Sequence, residues 1–395
     1  MDLTLLVIPL LAVLAPVAAR VLGRWVRIPV VVFELVLGII VGPSVLGWAQ
    51  PADFVHTLSQ FGLAMLFFVA GTEIEFGALT GRTGRGAILG WLLSIAAGVA
   101  LGWILAPGET AVILGIALAS TALGTLLPIL RDANELRTPF GRSVGALGAV
   151  GEFGPLVAIS LFLGSRTPGV ATIVLAVFVA IAAGAVWYAL RVPQGALHRF
   201  VGSTLHTSGQ FAIRVVFLIL AALVILSITL DIDMLLGAFA AGLVWRLLIR
   251  DASPADREAV ESKIEAVAFG FLVPVFFIYT GITFDLAALL AQPVLLLLVP
   301  IALVALLVVR GVPSLLAAPE RSSGRERVAV VLMGATGLPI VVAVTSEGVE
   351  KGILPSWAAA VLVGAGMLSV LLFPLVAMLL RGERVPRSAM GGEEA

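Results

Sequence analysis

The sequence predicts an all-α integral membrane protein with about thirteen transmembrane helices arranged as two inverted repeats. Three observations predict this fold class: the composition, the distribution of basic residues along the chain, and three short stretches that recur in order. Of the 395 residues, 60% are hydrophobic and 12% are charged, whereas a soluble domain carries about 25% charged residues. A soluble fold of this length would need far more polar surface.

Thirteen segments are apolar enough to be membrane spans, because a helix needs about 20 mostly apolar residues to cross a bilayer. The second and ninth are short and interrupted by glycine. The predicted spans are 3–20, 29–47, 58–78, 86–106, 109–130, 139–164, 168–190, 211–230, 232–250, 262–284, 292–317, 326–348 and 355–380. No Lys or Arg precedes the first span, so we expect it to be retained rather than cleaved.

The lysine and arginine residues test this number of spans, since cytoplasmic loops carry an excess of both. Of the 24 Lys and Arg residues, Arg166 and Lys351 fall on one side, Arg214 and Arg310 fall inside spans, and all the others fall on the opposite side. The arginine-rich side is therefore predicted to be cytoplasmic, in the inner (plasma) membrane, with the N-terminus outside. Residues 1–380 would form the transmembrane domain, and 381–395 a short cytoplasmic tail.

Three stretches of the first half recur loosely in the second half, each seven spans later. The pairs are 37–42 with 236–242, 67–76 with 276–285, and 119–123 with 334–338. Because seven is an odd number, the two halves must be inverted with respect to the membrane. Inverted repeats with broken helices that meet at the midplane are typical of secondary transporters.

Glu152 is the acidic residue that the sequence places deepest in a span. It lies about thirteen residues into its span, roughly 20 Å from the start and near the bilayer centre. Ionisable residues at that depth are costly and are functional candidates. Because a low dielectric disfavours the charged carboxylate, proton binding would compete there with cation binding. The alternative is a structural glutamate tied to a neighbouring helix.

Backbone breaks near Glu152 are predicted to supply further oxygen ligands. Pro155 cannot donate to the carbonyl of Gly151, and Pro128 and Pro339 free carbonyls in spans 5 and 12 in the same way. Hard cations prefer oxygen ligands. With Gly151, the predicted ligands are the hydroxyls at these breaks: Ser120, Thr121 and Thr336. The alternative is that these small residues only ease helix packing.

Arg310 and Glu73 complete the predicted site. Arg310 lies within span 11, and its permanent charge needs a partner or water. Glu152 and Glu73 are the candidate partners, and a snorkelling arginine near the interface is the alternative. We expect Arg310 to be the counter-charge of the site. Glu73, one turn inside the end of span 3, is predicted either to line the ion pathway or to form a structural pair.

Other functional classes find no support in the sequence. It has no basic patch with interleaved aromatic residues, which argues against nucleic-acid binding. It has no cysteine, which excludes disulfides and thiolate metal sites. It also has no phosphate loop, no metal cluster at ligand spacing and no nucleophile elbow. Neither an enzymatic activity nor a cofactor is therefore predicted.

Together these motifs resemble those of the monovalent cation/proton antiporters, the branch with sodium/proton exchangers and potassium efflux antiporters. The stretches that carry the resemblance fall in order over nearly the whole chain: 37–47, 67–73, 236–242 and 276–281. The resemblance implies a homodimer in which each subunit has a scaffold domain and a moving core domain, the core holding spans 3–5 and 10–12 with span 6. It also implies that the family's crossed, broken helices lie around Thr121 and Thr336, and that its basic residue on span 11 is Arg310.

The sequence departs from this family at one point. Members with two adjacent acids at the ion site carry them where this chain has Gly151 and Glu152. If Glu152 alone carries either one proton or one cation, exchange would be one-for-one and electroneutral. The potassium efflux relatives usually continue into a cytosolic nucleotide-binding domain, so we expect that regulation to be missing or to reside in a separate protein.

The sequence thus predicts an alternating-access antiporter that exchanges Na+ or K+ for H+. One alternative is a sodium-coupled organic solute symporter of the same fold, which would need a roomy polar cavity beside the cation site. Others are a cation channel, which would lack strict coupling, and a membrane sensor, which would usually need a soluble output domain.

Overall fold

The computed structural model describes residues 4–22, 29–74, 79–164, 166–191, 210–250 and 252–381. In this part of the chain thirteen helical segments follow the thirteen predicted spans one for one. They are α1 Thr4–Leu22, α2 Val30–Val41, α3 Asp53–Glu73, α4 Gly81–Leu105, α5a Glu109–Leu118, α5b Leu123–Asp132, α6 Pro139–Phe162, α7 Pro168–Arg191, α8 Phe211–Thr229, α9 Met234–Leu248, α10 Pro254–Thr283, α11 Pro293–Ala317, α12a Gly324–Gly334, α12b Pro339–Glu350 and α13 Ser356–Arg381. The predicted tail beyond Arg381 lies outside the described residues.

Ten of these segments are long and apolar enough to cross a membrane. The apolar parts of α2, α7 and α9 are shorter, at 10–17 residues, which confirms that the second and ninth spans are short. A further short helix, Leu286–Ala291, lies between α10 and α11.

Four helices are interrupted or distorted. The two halves of α5 are joined by the non-helical residues 119–122, and those of α12 by residues 335–338. Both predicted breaks are therefore confirmed. α10 and α11 each contain one π-helical turn, at Ala268–Leu272 and Leu307–Gly311. Arg310 lies in the second of these turns, and π turns are frequent at functional sites.

Two helix crossings show the inverted repeat. α2 packs on α10, and α3 packs on α9. Each crossing has a facing pair of glycines, Gly38 with Gly281 and Gly71 with Gly242. A Cβ added to any of the four would lie 2.0–2.3 Å from a backbone carbonyl oxygen of the partner helix. Both crossings therefore depend on glycine for close backbone approach.

These contacts correct one detail of the sequence comparison. Aligning 37–42 with 236–242 makes Gly237 the counterpart of Gly38 in the repeat. In the structure the counterpart is Gly242, because it has the same place in the α3–α9 crossing as Gly38 has in the α2–α10 crossing. Gly237 instead packs against Ser227 of α8. The register was wrong because an apolar stretch with several glycines fits more than one alignment, and only the partner helix selects the glycine at the crossing.

The helices form two bundles. The scaffold bundle contains α1–α3 and α8–α10, the core bundle contains α4–α6 and α11–α13, and α7 packs on α6 and α9. The expectation that spans 3 and 10 belong to the core is wrong. Gly71 of α3 packs against the backbone of α9, and Gly281 of α10 packs against the backbone of α2. In the other bundle, Gly86 and Gly90 of α4 pack against the backbone of α11, and Gly98 and Gly102 pack against α5a.

Replacing Gly242 by Ala should destabilise the scaffold bundle, because the new methyl would lie 2.0 Å from the carbonyl oxygen of Phe68. Overpacking of this kind costs about 1–3 kcal/mol, so the melting temperature in detergent should fall. Gly184→Ala in α7 is the matched control, because a Cβ there meets nothing within 4 Å. Equal melting temperatures for the two variants would show that the α3–α9 crossing tolerates a side chain.

Candidate functional site

The breaks in α5 and α12 cross within the core bundle and hydrogen-bond to each other. The Ala122 N–H donates to the Thr336 carbonyl at 2.8 Å, and the Thr121 hydroxyl donates to the Gly334 carbonyl at 2.6 Å. Ser120, Thr121 and Thr336 are all fully buried. The structure therefore brings together the three hydroxyl residues that the sequence predicts for the site.

α6 packs against the break in α5. The Thr121 N–H donates to the Gly151 carbonyl at 2.9 Å, the oxygen that Pro155 leaves without a helical donor. α6 nevertheless continues through Pro155 as one helix. The carbonyl that was expected to ligate a cation is thus already bonded to a protein N–H.

The side chain of Glu152 extends from α6 to the N-terminus of α5b. Its Oε2 accepts a hydrogen bond from the Leu123 N–H at 3.2 Å, and the residue is 1% exposed. A helix N-terminus carries unsatisfied N–H groups and a partial positive charge of about half an elementary charge. This position therefore stabilises the ionised form of a carboxylate that is otherwise removed from water.

A cavity of about 600 Å³, which we name the Glu152 cleft, reaches this carboxylate between the two bundles. Scaffold residues of α2 and α10 form one side, and core residues of α5b and α13 form the other. Gly124 and Thr125 of α5b and Pro339 of α12b also line it. Glu152 and Thr125 provide the polar side chains of this lining within the described residues, and the remaining walls are apolar.

Arg310 is fully buried and is held by uncharged groups. Its Nε donates to the Thr121 hydroxyl at 2.8 Å, and its Nη2 donates to the Leu147 carbonyl at 2.9 Å. Its Nη1 is buried without a hydrogen-bond partner among the described residues. Within that part of the chain neither Glu152 nor Glu73 forms a salt bridge with it. The role of counter-charge to Glu152 therefore stays a prediction, and it would have to act through space rather than by contact.

The hydroxyls at the two breaks are engaged within the protein. Ser120 and Thr336 each donate to a carbonyl of the preceding helical turn, at 2.8 and 3.0 Å. The Thr121 hydroxyl accepts a hydrogen bond from Arg310. A cation bound to the same oxygen would lie roughly 5 Å from the guanidinium. At that distance two unit charges repel by about 3 kcal/mol at an effective dielectric of about 20. The roles of Ser120, Thr121 and Thr336 as cation ligands remain predictions, and the charge of Arg310 opposes that role at Thr121.

Gly151 leaves the space that Arg310 and Thr121 occupy. A Cβ at this position would lie 2.5 Å from the Thr121 Oγ1 and 2.7 Å from the Arg310 Nη2. A side chain here would therefore displace the guanidinium.

Ser369 of α13 is a site residue that the sequence analysis missed. Its hydroxyl accepts from the Gly337 N–H at 3.1 Å and donates to the Gly366 carbonyl at 2.7 Å. Gly337 is the third residue of the α12 break, and Thr121 is the third residue of the α5 break. Ser369 therefore accepts from the α12 break in the same way as the Gly151 carbonyl accepts from the α5 break. Extending the inverted repeat to spans 6 and 13 would have pointed to it.

Glu73, the last residue of α3, lines a second cavity of about 630 Å³. Its Oε2 is buried without a hydrogen-bond partner among the described residues, which favours the pathway alternative for this residue. The other charged residues of the lining are Arg131, Arg137, Arg142, Arg246, Glu261 and Glu265. This cavity therefore opens on the arginine-rich side.

A third cavity, of about 660 Å³, lies at the opposite end of α3, where His56 lines it. Asp233 from the start of α9 and Glu347 and Lys351 from the end of α12b also line it. Because one cavity lies near each end of α3, polar cavities approach the space between the bundles from both membrane faces.

The sequence profile of the sodium/hydrogen exchanger transmembrane region matches residues 10–378. The chain belongs to the sodium/hydrogen exchanger family. It is 28% identical over 333 residues to YjbQ of Bacillus subtilis, covering 78% of this chain and 52% of YjbQ. It is 30% identical over 268 residues to the Na+/H+–K+ antiporter GerN of Bacillus cereus, covering 65% of this chain and 66% of GerN. The chain thus spans about half to two thirds of the length of these relatives.

The fold agrees with that of a solved member of this group. The sodium proton antiporter MjNhaP1 from Methanocaldococcus jannaschii superposes with a TM-score of 0.66 over 96% of this chain and 98% of its own, at 16% sequence identity. The predicted fold class, a sodium/proton antiporter-like bundle of transmembrane helices, is therefore confirmed.

Thr121→Val should destabilise the core bundle, because it removes the acceptor of the Arg310 Nε and the donor to the Gly334 carbonyl. Leaving buried polar groups without partners, one of them charged, costs about 2–4 kcal/mol. Thermal unfolding in detergent measures the loss. Thr121→Ser keeps the hydroxyl and should stay close to the native melting temperature, and an equal loss in both variants would contradict the hydrogen-bonding role.

Proposed function

We propose that this protein exchanges a monovalent cation, Na+ or K+, for H+ by alternating access, with Glu152 as the shared binding group. The observation that carries the proposal is a buried carboxylate at the crossing of two broken helices, at the end of a cleft between the two bundles. The similarity to GerN, an Na+/H+–K+ antiporter, and the fold shared with the sodium proton antiporter MjNhaP1 support it.

Single occupancy of Glu152 provides the coupling. The ionised carboxylate binds one cation, and its protonated form has lost the charge that holds the cation. Each loaded state therefore carries the same net charge, with Arg310 charged in both. Exchange is then one cation for one proton and is electroneutral, and the absence of an acid at Gly151 supports this stoichiometry.

Movement of the core bundle against the scaffold would provide alternating access. Glu152 lies on α6 of the core, whereas α2 and α10 of the scaffold form the facing wall of its cleft. Glu73 would line the approach from the arginine-rich face, and the cavity lined by His56 and Asp233 would serve the other. In our proposal the arginine-rich face is cytoplasmic, the N-terminus lies outside, and the protein is a homodimer in the inner membrane.

The competing transport functions are less well supported by the geometry. A symporter of polar organic solutes needs several polar groups around its substrate, but Glu152 and Thr125 supply the polar side chains of the cleft in the described part of the chain. Among the described residues, no contact at the site favours a channel. A profile match to exchangers over almost the whole chain likewise favours transport over enzymatic activity.

Glu152→Gln should abolish exchange, because the amide is neutral and can neither bind a proton near neutral pH nor attract a cation. The measurement is dissipation of a pH gradient in proteoliposomes on addition of Na+, K+ or Li+ in turn. Glu109→Gln is the control, since that residue is exposed at the start of α5a and lines none of the three cavities. Unchanged exchange in Glu152→Gln would remove the proposed site.

Electroneutral exchange predicts a rate that does not depend on membrane voltage. Set gradients of the permeant anion thiocyanate, which is not a cation substrate, would hold the potential of proteoliposomes at zero and at inside-negative values while Na+-driven proton movement is recorded. We expect the same initial rate at each value. A rate that rises or falls with the potential would show that net charge moves, and the one-for-one stoichiometry would be rejected.

A further inference from the structure

The Glu152 cleft contains one hydroxyl besides the carboxylate within its described lining. That hydroxyl belongs to Thr125, and the residues around the two polar groups are aliphatic, aromatic, glycine or proline. Na+ and K+ are held in proteins by several oxygen atoms. A cation that enters this cleft and loses part of its water therefore has few protein oxygens available beside Glu152.

Thr125 lies two residues after Leu123, the backbone donor to the Glu152 carboxylate, and lines the same cleft. It is the third residue of α5b, and the first, Leu123, donates its N–H to the Glu152 carboxylate at 3.2 Å. The intervening Gly124 also lines the cleft, and a Cβ placed on it would meet nothing within 4 Å. The structure thus has open space on the cleft side of the N-terminal turn of α5b.

The hydroxyl of Thr125 is available for a ligand, which distinguishes it from the other hydroxyls near the site. In the described part of the chain it makes no hydrogen bond, whereas Ser120, Thr121 and Thr336 each donate to a backbone carbonyl. Those three residues are also absent from the lining of the cleft. Thr121 in addition contacts the guanidinium of Arg310, which repels a second cation.

We propose that the cation binds in the open space at the N-terminal turn of α5b, with the Glu152 carboxylate and the Thr125 hydroxyl as its protein ligands. This inference rests on the proposed function and adds a second protein ligand to it. Water in the cleft completes the coordination. Protonation of Glu152 needs no such ligand, so Thr125 acts on the cation step of the exchange and not on the proton step.

The test compares Thr125→Val, which has nearly the same shape but no hydroxyl, with Thr125→Ser, which keeps it. The full chain in proteoliposomes is titrated with Na+, and separately with K+, under a fixed pH gradient. Loss of one oxygen ligand should raise the half-saturating cation concentration about fivefold to tenfold. The maximal rate should stay within about twofold, because the proton step is unchanged, and Thr125→Ser should stay close to the native protein in both quantities.

Two further variants separate binding from packing. Gly124→Ala places a methyl group in the open space without a clash, and it should raise the half-saturating concentration while the melting temperature is kept. Ser160→Ala on α6 removes a buried hydroxyl that bonds only within its own helix, and it should leave the cation dependence unchanged. If Thr125→Val proves too unstable to reconstitute, Thr125→Ala, which also removes the hydroxyl, takes its place in the comparison with Thr125→Ser.

An unchanged half-saturating concentration in Thr125→Val would overturn the assignment. So would an equal loss in Thr125→Val and Thr125→Ser, since that would show a packing effect rather than ligation. Failure of the proposed function has a different signature, which is exchange that persists in Glu152→Gln. Loss of exchange in Glu152→Gln together with native behaviour of Thr125→Val would leave the antiport function standing and reject Thr125 alone.

Discussion

Backbone groups that are not helical can lie at membrane depth only if they find partners inside the protein. In this chain the breaks of α5 and α12 meet that requirement by bonding to each other, through the Ala122 N–H and through the Thr121 hydroxyl. α6 and α13 then each supply one acceptor from outside the breaks, the Gly151 carbonyl and the Ser369 hydroxyl. The position of Glu152 follows from this crossing, because α5 restarts at Leu123 and presents its free N–H groups to the carboxylate.

Arg310 is the costliest group in this arrangement. A buried guanidinium with uncharged partners and one unpaired nitrogen has lost much of its hydration without gaining an ion pair. In the proposed exchange Arg310 would stay charged throughout and would add the same charge to the cation-loaded and the proton-loaded state. The exchange ratio would then depend on Glu152 alone.

Local signals in the sequence were sufficient for the spans, the breaks and the buried acid. Hydropathy, the distribution of arginine and the positions of Pro128 and Pro339 each depend on a few neighbouring residues. The division into bundles was missed because it depends on which faces of distant helices meet, and Gly38 finds its partner at Gly281, more than two hundred positions along the chain. The state of each hydroxyl was equally hidden. Thr121 and Thr125 are four residues apart, yet the first bonds to Arg310 and the second faces the cleft.

The apolar walls of the cleft bear on why transport would be coupled. Val273 and Phe277 of the scaffold face the core across the cleft that ends at Glu152. If the core moves, the carboxylate has to pass such surfaces, and an ionised carboxylate without a partner is strongly disfavoured in apolar surroundings. A bound cation or proton neutralises the carboxylate and removes most of that cost. In the proposed mechanism the scaffold surface would therefore disfavour movement of the empty core and permit movement of the loaded one, which is the condition for exchange rather than leak.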